Sequence, residues 1–125
     1  MRVLLFFLLL GNIALAQQTP HLTPSEFDAM IKADTSVVVI DLRTPKEVES
    51  GMIAGAVQMD YFGKNFLSDI RALDPEKTYL IYCASGGRSS ETVEIMTRSG
   101  IKNVFHLESG FAGWKAAGLP IAVNK

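Results

Sequence analysis

The feature of this chain that most narrows its fold is an unbroken β-branched run, Val-Val-Val-Ile, at residues 37–40. A strand with one face in solvent alternates apolar and polar residues, whereas a strand buried on both faces is apolar throughout. Burial on both faces is typical of the central strands of parallel sheets, which helices cover on each side. We therefore expect this run to be a central strand of an α/β domain.

Strand and helix signals alternate along the rest of the sequence. Residues 23–26 (TPSE) and 44–47 (TPKE) each contain a threonine that can cap a helix, a proline suited to the first helical position and a glutamate that can complete a capping box. Further strands are predicted at residues 21–23, after a turn within 51–57, at 78–82 and at 104–107. Further helices are predicted within the weakly patterned region 60–73, from a cap at Ser89 or Ser90 to residues 99–100, and from residue 110 onwards. This alternation predicts a parallel sheet flanked by helices.

The chain has a single cysteine, Cys83, at the end of the predicted strand 78–82. Catalytic loops in α/β folds lie at the carboxyl ends of strands. The two glycines that follow permit a tight turn, so backbone N–H groups, a helix N-terminus and Arg88 would all surround the thiol and stabilise a thiolate. Free cysteines are otherwise small buried hydrophobic residues, but such a residue needs none of these surroundings. We interpret Cys83 as a reactive thiol.

The N-terminus predicts export. A positive start, an apolar run over residues 3–10 and the small-residue segment 14–16 are typical of a secretory signal peptide. The apolar run is too short to span a membrane, which takes about 20 residues. We therefore expect cleavage after Ala16, a single domain over residues 17–125, a periplasmic location and no membrane attachment after cleavage. A formal net charge of −1 gives no indication of a nucleic-acid partner.

Three segments together resemble a single-domain rhodanese, a thiosulfate-type sulfurtransferase. They are residues 41–47 (DLRTPKE), 83–89 (CASGGRS) and 107–120 (LESGFAGWKAAGLP). The resemblance implies a five-stranded parallel sheet flanked by helices, without a cofactor, and a cysteine that alternates between thiolate and persulfide. It also implies an anionic sulfur donor such as thiosulfate. The acceptor would be cyanide in the assay and usually a thiol in the cell, including a protein thiol.

The resemblance also assigns site residues. Cys83 would be the nucleophile and persulfide carrier. The sulfur-binding loop would consist of Ala84, Ser85, Gly86, Gly87 and Arg88. Arg88 either attracts the donor or ties the loop to a carboxylate, and the hydroxyls of Ser85 and Ser89 either donate to sulfur or serve as ordinary turn and cap groups.

Other polar and aromatic residues are predicted to support the site. Asp41 and Arg43, at the end of the neighbouring strand, are interpreted as a scaffold ion pair that can involve Glu47. Two aromatic residues of the last helix, Phe111 and Trp114, are expected in the core. The two histidines, His21 and His106, have no metal-ligand neighbours at suitable spacing, so no metal is predicted.

Two departures from the family pattern bear on the substrate. Met52 stands where the family commonly has histidine, and Ala84 stands where many thiosulfate-active members have a basic residue. Weaker binding of a dianion would follow, which leaves a persulfide, a polysulfide or a partner protein as alternative donors.

Two other activities remain open for a cysteine loop of this kind. A phosphatase or arsenate reductase would have a loop one residue longer between cysteine and arginine, so the four residues 84–87 favour a single sulfur on the cysteine over a bound phosphate. A redox-sensing or partner-binding module would use the thiol without sulfur turnover, because a low-pKa thiol is also what oxidants attack.

Overall fold

The computed structural model describes residues 19–123, so the signal peptide predicted at residues 1–16 lies outside the described residues. The elements in chain order are β1 (His21–Leu22), α1 (Pro24–Ala33), β2 (Val38–Asp41), α2 (Pro45–Val48), β3 (Met52–Ile53), β4 (Val57–Gln58), α3 (Phe66–Arg71), β5 (Thr78–Tyr82), α4 (Gly87–Arg98), β6 (Asn103–Leu107), α5 (Gly110–Ala116) and β7 (Ile121–Ala122). Among them, no helix is long and apolar enough to cross a bilayer.

Five of the strands form the central sheet, in the order β1-β6-β5-β2-β4. Every pairing within it is parallel, which confirms the predicted α/β class. The two remaining strands, β3 and β7, form a separate antiparallel pair beside the sheet. Strands β3 and β7 have two residues each, which is too short for a periodic pattern. For this reason the sequence did not predict β7.

Strand β2 is buried on both faces, as its β-branched run predicts. Val39 packs in a cluster with Phe27 and Trp114 on one side of the sheet. Ile40 packs in a second cluster with Ile81 and Met96 on the other side. The sheet therefore separates two apolar layers, each covered by helices.

Both predicted capping boxes are formed. The hydroxyl of Thr23 accepts the backbone N–H of Glu26 at 3.2 Å, and the hydroxyl of Thr44 accepts that of Glu47 at 3.3 Å. In each box the glutamate side chain accepts the backbone N–H of the threonine in return. These caps fix where α1 and α2 begin.

The predicted start of α4 was wrong. The helix begins at Gly87, because the chain turns at a glycine cap, Gly86, with a φ of 105°, three residues ahead of Ser89. Ser89 and Ser90 consequently lie within the first turn of the helix rather than ahead of it. The weakly patterned region 60–73 is helical only over Phe66–Arg71.

Candidate active site

The Cys83 thiol lies directly beyond β5, at the carboxyl edge of the sheet, and only 1% of the residue is exposed. The loop that follows folds back around it. The backbone N–H of Gly86 donates to Sγ at 3.2 Å and that of Ser89 at 3.4 Å. The Ser89 hydroxyl oxygen lies 3.6 Å from Sγ. The sulfur therefore sits in a ring of donors, as the sequence predicts for the amides of this loop.

These donors change the acidity of the thiol. Burial by itself raises the pKa of Cys83, because it removes water from the charged form. Hydrogen bonds from the Ser89 hydroxyl and from the amides of Ser89, Gly86 and Ser85 outweigh burial and bring the pKa below its usual value. A lower pKa increases the fraction of reactive thiolate near neutral pH.

Two glycines bring the loop and the turn after β6 into close contact. Gly86 has a φ of 105°, and a Cβ there would collide with the carbonyl oxygen of Glu108. Gly110 has a φ of 64°, and a Cβ there would collide with the carbonyl oxygen of Ala84. The N–H of Phe111 also donates to the Cys83 carbonyl at 2.8 Å. The start of α5 therefore holds the loop in place from behind.

The remaining loop residues form the mouth of the site. Ser85 and Gly87 are exposed, and Ala84 and Arg88 are half-buried. Ala84 adds no charge to this opening, so Arg88 is the one cationic residue of the loop.

Arg88 is held by Glu47 in an ion pair with two contacts. Its two terminal nitrogens lie 2.8 and 2.9 Å from the two carboxylate oxygens. Hydrogen bonding from Arg88 is the largest influence on the carboxyl and lowers the pKa of Glu47 to about 2. The ion pair ties the loop to α2, which is the second of the two roles predicted for Arg88, and it compensates the charge of the guanidinium. A direct role of Arg88 in donor binding stays a prediction.

The low pKa of Glu47 predicts a dependence of stability on acid. The carboxyl has a lower pKa in the folded protein than its usual 4.5. Its contribution to the free energy of unfolding is therefore complete above pH 4.5 and is lost as the pH falls towards 2. We expect urea unfolding between these pH values to show a smaller loss of stability in Glu47→Gln than in the wild type. Glu49→Gln, at an exposed neighbour, is the control and should follow the wild type. Equal losses in all three proteins would contradict the assignment.

Asp41 and Arg43 form a buried ion pair, with 0% and 3% of their side chains exposed. Arg43 donates to the two carboxylate oxygens of Asp41, with its closest contact at 2.8 Å, and to the Gly51 carbonyl at 2.7 Å. These contacts confirm the predicted pair. Glu47 contributes only its backbone carbonyl, 3.3 Å from Arg43, because its carboxylate is occupied by Arg88.

The two aromatic residues of α5 lie in the core, as predicted. Phe111 is 6% exposed and Trp114 is 2% exposed. The guanidinium carbon of Arg43 lies 3.9 Å from the centre of the Phe111 ring, within the range of a cation–π contact. Phe111 therefore covers the buried ion pair rather than facing the opening of the loop.

The sequence analysis missed a contact between the two histidines. His21 Nδ1 lies 2.7 Å from His106 Nε2, and His106 Nδ1 lies 2.8 Å from the hydroxyl of Ser89. The parallel pairing of β1 with β6 places His21 opposite His106. No local pattern relates residues so far apart in sequence. Among residues 19–123, no group of three or more histidine, cysteine or acidic side chains is placed to hold a metal ion.

A parallel α/β sheet with a cysteine cradled by amides at its carboxyl edge defines a class of cysteine-loop domains that includes sulfurtransferases and phosphatases. Within that class, the sequence model of the rhodanese-like domain matches residues 23–117. The chain belongs to the rhodanese-like family, and its structure has the family's α/β fold with a five-stranded parallel sheet.

Known relatives agree with the family assignment. A sulfurtransferase of Allochromatium vinosum is 36% identical over 92 residues, which cover 71% of this chain and 82% of the relative. A putative sulfurtransferase of Bacillus subtilis is 32% identical over 90 residues, covering 72% and 84%. The crystal structure of a thiosulfate sulfurtransferase from Pseudomonas aeruginosa superposes with a TM-score of 0.71 at 27% identity. That match covers 86% of this chain and 21% of the larger protein. These relatives support a role in sulfur transfer.

Proposed function

We propose that this protein is a sulfurtransferase that carries sulfane sulfur as a persulfide on Cys83. The observation that carries the proposal is the ring of donors around the Cys83 sulfur, with the Gly86 N–H at 3.2 Å and the Ser89 N–H at 3.4 Å. This ring favours a thiolate as the nucleophile, and it offers the same donors to the outer sulfur of a persulfide.

The proposed cycle has two displacements at sulfur. In the first, the Cys83 thiolate attacks the outer sulfur of the donor, a new S–S bond forms, and the old bond breaks. The donor fragment leaves with the electron pair, as sulfite from thiosulfate or as a thiolate from a persulfide. In the second, cyanide or an acceptor thiolate attacks the outer sulfur on Cys83. The Cys83 thiolate then leaves with the electron pair and is regenerated.

The charges near the loop favour a donor other than free thiosulfate. Ala84 offers no cation, and Arg88 is already compensated by Glu47 at 2.8 Å. A thiosulfate dianion therefore gains little electrostatic attraction at the mouth of the site. A small persulfide or polysulfide depends less on a nearby cation for its binding. We propose that such a donor, or a partner protein bearing a persulfide, loads Cys83 faster than thiosulfate does, and that a thiol accepts the sulfur.

The proposal includes the location of the protein. The positive start, the apolar run and the small residues ahead of residue 17 support export and cleavage of a signal peptide. The mature protein would then handle sulfur in the periplasm. Because Cys83 is the only cysteine of the chain, sulfur carried there cannot be lost to an internal disulfide.

Intact mass spectrometry tests the persulfide. The purified protein is incubated with thiosulfate or, separately, with a low-molecular-weight persulfide, and Cys83→Ser serves as the control. We expect a gain of one sulfur atom in the wild type, faster from the persulfide, complete removal by cyanide, and no gain in the variant. If neither donor adds sulfur to the folded wild type, the sulfurtransferase proposal fails in favour of a redox-sensing or partner-binding role.

A further inference from the structure

A chain of side chains leads from the Cys83 sulfur to the protein surface. Ser89 Oγ lies 3.6 Å from Cys83 Sγ and 2.8 Å from His106 Nδ1. On the other side of the ring, His106 Nε2 lies 2.7 Å from His21 Nδ1. Ser89 and His106 are buried, with 0% and 2% exposure, whereas His21 is exposed. The proposed function uses Cys83 and its hydrogen-bond donors but neither of the two histidines.

The hydrogen bonds of Ser89 fix the proton on His106. The hydroxyl has one proton and three polar neighbours, which are Cys83 Sγ, the Gly86 carbonyl at 3.2 Å and His106 Nδ1. A thiolate is a charged acceptor, and it holds the hydroxyl proton more strongly than the neutral carbonyl or the neutral imidazole does. The proton therefore goes to the sulfur, and none is left for the imidazole. The contact at 2.8 Å is then a hydrogen bond only if His106 carries its proton on Nδ1.

The second ring follows from the first. A neutral His106 with its proton on Nδ1 has a bare Nε2, so His21 must donate to it from Nδ1. In the opposite tautomer, His106 would donate from Nε2 to His21 Nδ1, and the Ser89 hydroxyl would donate to His106 Nδ1 instead of to the thiolate. Burial is the main cause that lowers the pKa of His106, and the neighbouring His21 adds to it, while the Glu108 carboxylate acts in the opposite direction. Burial and His21 therefore favour the neutral form of His106.

We propose that His106 is a positioning residue for Cys83. Its Nδ1–H holds the Ser89 oxygen so that the hydroxyl proton points to the thiolate, and His21 fixes the tautomer of His106 that makes this possible. The inference rests on the reactive thiol in the proposed function but not on sulfur transfer itself, and it gives both histidines a role that the sequence did not indicate.

The pH profile of Cys83 alkylation by iodoacetamide tests the inference without a sulfur donor, so failure of the proposed function would be seen separately. The single cysteine makes the signal unambiguous. We expect Ser89→Ala and His106→Leu each to slow alkylation near neutral pH by about tenfold, because a hydrogen bond to a charged group is lost. The double variant should be no slower than either, since both changes break the same chain.

A conservative variant separates positioning from packing. His106→Asn places an amide N–H where Nδ1–H stood, so it should restore most of the alkylation rate lost in His106→Leu. Ser90→Ala, at the exposed neighbour of Ser89, should match the wild type. The inference is overturned if His106→Leu keeps the wild-type pH profile, or if His106→Asn is as slow as His106→Leu.

The wild type provides a test that needs no variant. Nitrogen-15 NMR of the imidazoles should show His106 neutral with its proton on Nδ1, and His21 with a proton on Nδ1 as well. A neutral His106 protonated on Nε2 would overturn the inference, because Ser89 could not then accept from it.

Discussion

Replacing Gly86 with alanine is expected to lower the free energy of unfolding by roughly 2–4 kcal/mol and to slow the reaction of Cys83. Two penalties combine at this position. Its φ of 105° lies in the region that side chains rarely adopt, and the new Cβ would collide with the carbonyl oxygen of Glu108. That oxygen belongs to the backbone after β6, so it cannot move aside as a flexible side chain would.

The loss of reactivity follows from the same displacement. The Gly86 N–H lies 3.2 Å from Cys83 Sγ and helps to lower the pKa of the thiol. If the loop shifts to relieve the collision, this donor moves away from the sulfur and the pKa rises. Urea unfolding would measure the first effect, and the pH profile of alkylation by iodoacetamide would measure the second.

Gly100→Ala is the matched control for Gly86→Ala. Gly100 has a φ of 92°, but its Cβ would meet no atom within 4 Å. It therefore carries the backbone penalty without the collision, and we expect a loss of about 1 kcal/mol with an unchanged Cys83 profile. If both variants lose the same stability and react alike, the contact between Gly86 and Glu108 has no role in shaping the loop.

The parallel sheet and the position of the thiol could be predicted because they depend on local patterns. A β-branched run such as residues 37–40 indicates burial on both faces wherever it occurs. The capping residues Thr23 and Thr44 act over one helical turn, so their partners are visible in the sequence. Cys83 follows such a strand directly, which places it at the sheet edge without any long-range information.

The partners of the site residues could not be predicted because the fold decides them. Glu47 and Arg88 belong to different helices, and only the packing of α2 beside the loop joins them. His21 meets His106 through the register of two parallel strands from opposite ends of the domain. The sequence offered several carboxylates for Arg88 and no neighbour for either histidine. Only the tertiary structure shows that Glu47 compensates Arg88 and that Ser89, His106 and His21 are joined by hydrogen bonds.

Breaking the buried ion pair is expected to have the largest effect on stability. Arg43→Met should lower the free energy of unfolding by about 3–5 kcal/mol, because it leaves the fully buried carboxylate of Asp41 without its counterion. The variant also removes the donor to the Gly51 carbonyl and the cation from the Phe111 ring. Urea unfolding near neutral pH, where a carboxylate is ordinarily charged, is the measurement.

Two further variants show whether the uncompensated charge is the cause. Lys102→Met breaks an ion pair with Glu76 whose side chains are 65% and 68% exposed, and it should cost less than about 1 kcal/mol. Asp41→Asn combined with Arg43→Met removes both charges. If the stranded carboxylate dominates, this double variant should be more stable than Arg43→Met alone, because a neutral amide costs less to bury than a lone carboxylate. A double variant less stable than Arg43→Met would show instead that packing and hydrogen bonds of the two side chains, rather than charge, hold this part of the site together.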